Sequence, residues 1–99
     1  MTRHSSNLID EQNLEKIVEI LKAVAHPVRL QIVNILIQGE RSVGELIRIL
    51  GTKQSLTSQQ LTTLKLTGIL KSRRDGNRVF YAIADKRMKK IMESVVQEA

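Results

Sequence analysis

Apolar residues recur along this chain with the period of a helix for two-thirds of its length, then switch to the period of a strand. Leu14, Ile17, Val18, Leu21 and Val24 lie three or four residues apart and predict an amphipathic helix over 11–25, with Asp10 placed to cap it. His26-Pro27 interrupts the pattern. Proline disfavours helix in the residue before it and suits the first position of the next helix. A second helix follows on Val28, Ile32, Val33, Leu36 and Ile37, and Gly39 ends it. Ser42-Val43-Gly44-Glu45 reads as a capping box for a short third helix with the stripe Val43, Leu46, Ile47 and Leu50, closed by Gly51. A fourth helix is expected over 54–67, apolar at Leu56, Leu61, Leu64 and Leu66, with Gly68 ending it. Its opposite face carries Ser55, Thr57, Ser58, Gln59 and Thr62.

The period then changes. Ile69 to Arg74 reads as a strand, Asp75-Gly76-Asn77 as a hairpin turn, and Arg78 to Ile83 as the returning strand. One of the neighbours Phe80 and Tyr81 must face the core, and Phe80 is the expected one. Asp85 caps a last helix with Met88, Ile91, Met92, Val95 and Val96 on one face. The order α-α-α-α-β-β-α, with two short helices joined by a tight turn, predicts a mainly α (α+β) winged helix-turn-helix. Residues 1–10 are polar and read as a flexible N-terminal arm. Residues 11–99 form the winged helix-turn-helix domain.

Composition narrows the chemistry. The 99 residues contain no Cys, which excludes disulfides, thiolate metal sites and cysteine nucleophiles. His4 and His26 stand far apart, one in the arm and one beside Pro27, where a packed or capping role suits it; no metal site and no cofactor are expected. A Gly-rich phosphate loop, a catalytic triad and a suitably spaced carboxylate pair are all missing, so no enzyme is expected. The N-terminus has no apolar leader, and no apolar run approaches a membrane span. A soluble cytoplasmic protein, without a membrane partner, is the expectation.

Charge is unevenly distributed. Residues 1–40 carry four basic and five acidic groups, whereas 41–99 carry twelve basic and five acidic, giving the overall +6. No acid occurs from 46 to 74. A basic second half points to phosphate. The fourth helix offers hydroxyl and amide side chains near its start, where they can approach base edges closely, and a Gln can pair bidentately with adenine. The candidate DNA contacts are Lys53, Gln54, Ser55, Thr57, Ser58, Gln59, Thr62 and Lys65 in this region, with Arg74, Asn77 and Arg78 near the wing tip. Leu14, Ile17, Val18 and Leu21 with Met88, Ile91, Met92 and Val95 are more apolar surface than one small core covers, and are the candidate dimer interface.

The ordered series Leu21-Lys22-Ala23-Val24-Ala25-His26-Pro27-Val28-Arg29-Leu30, Ser42-Val43-Gly44-Glu45-Leu46, Gln54-Ser55, Ser58-Gln59-Gln60-Leu61, Leu64-Lys65, Gly68-Ile69-Leu70, Arg73-Arg74 and Gly76-Asn77-Arg78-Val79-Phe80-Tyr81 resembles the ArsR/SmtB family of bacterial winged-helix repressors. The resemblance spans roughly residues 14–96. It implies a homodimer paired through the first and last helices, double-stranded operator DNA bound by the fourth helix and the wing, and release by an effector. The family's sensor chemistry does not carry over. The third helix has no Cys, the last begins Asp85-Lys86-Arg87 rather than Asp-x-His, and its later positions include Gln97 and Glu98. The effector therefore stays unknown. Thr52 stands where many relatives carry an apolar residue. The expected function is a sequence-specific transcriptional regulator, a repressor on an inverted-repeat operator. The alternatives are a winged-helix protein–protein interaction module and a non-specific nucleic-acid binder.

Overall fold

The computed structural model describes residues 8–98, with side chains as far as 96. Most of the expected arm, residues 1–7, lies outside the described residues. Helix α1 spans Glu11–Val24, and the Asp10 carboxylate accepts from the Asn13 N–H at 3.2 Å. Helix α2, Pro27–Leu36, starts on a proline whose missing N–H costs nothing there, and His26 Nδ1 accepts from the Val28 N–H at 3.2 Å. His26 is thus a capping residue. Arg29 on α2 donates to the Ala23 carbonyl at 2.9 Å, holding the end of α1 against the start of α2.

A two-residue strand, β1 (Arg41–Ser42), precedes α3, Val43–Leu50. The sequence order above omits it. Two residues are too few to show a period, and β1 exists only through its pairing with the wing. Ser42 then caps α3 with the reciprocal bonds expected of it: its hydroxyl accepts from the Glu45 N–H, and its own N–H donates to Glu45 Oε1. Gly51 closes the helix in the left-handed region, at φ 66°. Helix α4 is Gln54–Leu66, the wing strands are β2 (Leu70–Asp75) and β3 (Arg78–Ile83), and α5 is Arg87–Glu98. The antiparallel sheet runs β1-β3-β2, with Arg73 opposite Phe80 and Leu70 opposite Ile83. Gly76, at φ 65°, makes the wing turn.

The core is aliphatic. Ile32, Val33 and Leu36 of α2 meet Leu46, Leu61, Leu64, Ile69 and Leu70. Met88 and Met92 belong to this core, at 1 % and 4 % exposure, and are not interface residues as the sequence suggested. They fill irregular space between α5 and the rest of the protomer, a use that suits an unbranched thioether. Leu66, expected to be apolar-facing, is 83 % exposed. Tyr81, not Phe80, packs against the core. Alternation decides this: buried Leu70 opposes Ile83, so Ile83, Tyr81 and Val79 share the inner face and Phe80 points away. No helix among the described residues is long and apolar enough to cross a membrane.

Candidate nucleic-acid interface

The polar start of α4 is left open by the turn that precedes it. Lys53 occupies the N-cap position without a side-chain cap bond, so the cap residue leaves the first N–H groups of the helix without a side-chain partner. Lys53, Gln54, Ser55, Ser58, Gln59 and Thr62 are all exposed along its outer side. Thr62 Oγ1 donates to the Ser58 carbonyl at 3.0 Å, and Thr63 Oγ1 to that of Gln59 at 3.1 Å. Thr57 does not belong to this face. It is fully buried, and its hydroxyl lies 2.6 Å from that of Thr52. Its removal from the candidate contacts follows from helical spacing, since Thr57, Leu61 and Leu64 form one stripe.

The wing meets α3 and α4 around a groove of about 680 Å³ whose walls include Gln54 and Ser58 of α4, Asn77 and Arg78 of the wing, and Arg48 of α3. The structure thus brings four of the candidate contacts together and adds Arg48. The sequence does not single that residue out: Val43 and Ile47 of the apolar stripe line the same groove, so helical spacing on α3 alone does not tell which of its positions face it. Glu45 also lines the groove. Hydrogen bonds from the Ser42 backbone and hydroxyl, with help from nearby Arg41 and Arg78, hold its carboxyl below the usual carboxylate range.

Lys65, at the far end of α4, donates to the Ser72 hydroxyl at 2.8 Å and stands apart from the groove. Arg74 is exposed on β2 opposite Val79. Arg78 donates to Ser42 Oγ at 3.1 Å and stacks over the Phe80 ring, 4.9 Å from its centroid. Arg73 stacks over the same ring at 4.5 Å and binds Glu40 bidentately, at 2.7 and 2.8 Å. Arg73 is therefore a structural cation, whereas Arg78 presents charge at the groove from a fixed position.

On the other side of the protomer, Leu14, Val18 and Leu21 of α1 and Ile91, Val95 and Val96 of α5 are each at least 38 % exposed. Ile17 and Leu21 line one small cleft with Met88 and Ile91, so the two apolar helix faces adjoin.

Residues 26–72 match the family model described as bacterial regulatory protein, arsR family. The chain is 35 % identical over 85 residues to the biofilm growth-associated repressor of Xylella fastidiosa, covering 86 % of this chain and 75 % of that protein. It is also similar to HlyU of Vibrio cholerae, described as a transcriptional activator and 40 % identical over 83 residues, covering 84 % of this chain and 77 % of HlyU. The HlyU structure superposes with a TM-score of 0.85, covering 89 % of this chain and 96 % of that chain at 38 % identity. The homodimeric winged helix-turn-helix DNA-binding domain of Mb0332 from Mycobacterium bovis superposes with a TM-score of 0.77 at 30 % identity, covering 92 % of this chain and 89 % of that one. With its helix-turn-helix, wing and basic groove, this chain is a transcriptional regulator of the arsR family.

Proposed function

We propose that this regulator is a homodimeric repressor that binds an inverted-repeat operator, reading bases with α4 and anchoring on phosphate with the wing. The observation that carries the reading is the convergence of Gln54, Ser58, Asn77, Arg78 and Arg48 on one groove. Amides and hydroxyls there can report base identity, and guanidinium groups can neutralise phosphate. In a two-fold dimer the two α4 helices would lie about 34 Å apart, one turn of DNA. The exposed apolar faces of α1 and α5 supply the pairing surface. Repression by promoter occlusion requires no chemistry from the protein, so no catalytic activity is assigned, and the site of action is the cytoplasm.

Selection of bound duplexes from random DNA, followed by salt titration on the selected and scrambled sequences, tests this. A selected inverted repeat bound at least a thousandfold, on the order of 10³, more tightly than scrambled DNA supports it. Equal affinity for both duplexes with the same salt slope replaces it with non-specific binding, and no DNA binding replaces it with a protein–protein module.

A further inference from the structure

The end of α2, strand β3 and helix α5 bound a second groove, of about 650 Å³, apart from the groove between α4 and the wing. Its floor is apolar and includes Ile37, Ala82 and Ile83. Its α5 lip carries Lys86, Lys89 and Lys90, all exposed and none in an ion pair among the described residues. Two carboxylates stand at its edge. Glu40 is already engaged by Arg73, and Glu93 lies one turn further along α5. By helical spacing these lysines occupy a different face of α5 from Ile91 and Val95.

The lysines sit against local electrostatics. They lie in or just before the first turn of α5, which contains no acidic residue, and Asp85 ahead of it is taken up by the N–H and guanidinium of Arg87. Cations are disfavoured at that end of a helix, and Lys89 and Lys90 add like charge to Lys86 and Arg87 beside them. A cationic cluster that costs helix stability, set on the lip of an apolar groove, marks a place where an anion restores the balance. The groove falls within the ~300 to 1,000 Å³ range of small-molecule clefts. An inorganic anion would leave the floor unused, and a neutral apolar molecule would leave the lysines unused.

We propose that this groove is an effector site for a small amphiphilic carboxylate, its head on Lys86, Lys89 and Lys90 and its aliphatic tail over Ile37, Ala82 and Ile83. The groove also includes Gly39 and Glu40, and Glu40 holds Arg73 of the wing. Occupancy therefore bears on the wing through one ion pair, and by linkage ligand and operator alter each other's affinity. That consequence rests on the operator reading above, whereas ligand binding does not.

The test uses sub-micellar decanoate as probe on the full chain. Amide resonances of Ile37, Gly39, Ala82 and Ile83 should shift, and operator affinity should fall as decanoate rises. Lys86→Gln with Lys90→Gln should weaken decanoate by roughly three- to tenfold, the span of two exposed ion pairs. Lys86→Glu with Lys90→Glu should transfer preference to decyltrimethylammonium. Equal binding of decanoate and decyltrimethylammonium by the wild-type chain overturns the site, as do shifts confined to Leu14, Val18 and Val95. Sulfate acting on the same amides as strongly overturns the amphiphile class. A Glu-Leu repeat peptide that displaces decanoate and binds more tightly replaces the small molecule with a protein partner. Decanoate binding with unchanged operator affinity overturns the link to the wing. A chain that binds no operator sinks the operator reading alone, because the titration on free protein still decides the site.

Discussion

The hydroxyls of Thr52 and Thr57 face each other at 2.6 Å across the turn of the helix-turn-helix. Thr57 is fully buried, and Thr52, half-buried, satisfies it. The pair accounts for a polar residue at position 52: an apolar side chain there would leave a buried hydroxyl on α4 without its partner. Thr52→Val should therefore cost about 1 to 3 kcal/mol. Thr52→Val combined with Thr57→Val should recover most of that loss, because both polar groups disappear together. Chemical denaturation of the four proteins in the cycle measures the coupling. Purely additive losses would remove the pair as the reason for Thr52. Thr57→Val should leave discrimination between operator and scrambled DNA unchanged.

A second prediction separates core from interface on α5. Met88 is buried in the protomer and Ile91 is 38 % exposed beside α1. Met88→Ala should destabilise the fold by about 2 to 5 kcal/mol, as large-to-small core changes do. Ile91→Glu should leave the protomer folded and shift sedimentation from dimer to monomer, since pairing would desolvate an unmatched charge. A dimer that persists in Ile91→Glu at micromolar concentration would place the interface elsewhere.

These methionines show where sequence reading stops. Periodicity located all five helices and both wing strands, and the caps at Asp10, His26 and Ser42 act as their residue types suggest. A helical stripe does not reveal whether it faces its own core or a second chain, so Met88 and Met92 looked the same as Ile91. The inward choice of Tyr81 over Phe80 was recoverable, because the pairing of Leu70 with Ile83 fixes the register. Strand β1 and the Arg73–Glu40 pair were not recoverable. Both join segments roughly thirty or more residues apart, and no local pattern encodes such a contact. At the candidate site, residue type points to the wing tip and to α4, but it does not say which side of α4 a threonine faces, and Thr57 is buried.

The Glu40–Arg73 pair gives a pH signature. The hydrogen bond from Arg73, with its charge and that of Lys71, lowers the Glu40 pKa below the ordinary carboxylate range. A carboxylate whose pKa is lower folded than unfolded adds stability above its unfolded pKa, and that stability is lost as pH falls through the folded value. Carbon-detected NMR titration should find Glu40 titrating below the ordinary glutamate range. Arg73→Gln removes the largest cause of the lowering and should move the Glu40 titration upward. An unchanged Glu40 titration in Arg73→Gln would mean the ion pair does not persist in solution.

The last prediction separates reading from anchoring. Arg78 is a poor probe of either, because it also donates to Ser42 Oγ and stacks on Phe80, so its removal alters the wing itself. Arg74 is exposed on β2 and makes no side-chain hydrogen bond or ion pair among the described residues. Gln59 is exposed on α4 and has two donors, an acceptor and no charge. Gln59→Ala should lose about 1 to 3 kcal/mol on the selected operator and little on scrambled DNA, with the salt slope kept. Arg74→Ala should weaken both duplexes alike and flatten the slope of log K against log salt by roughly one unit per protomer. Neither side chain supports the fold, so circular dichroism and sedimentation should match wild type in both variants. If Gln59→Ala weakens scrambled DNA as much as operator, α4 anchors without reading, and recognition must lie in the groove residues Gln54, Ser58 and Asn77 or in the shape of the DNA.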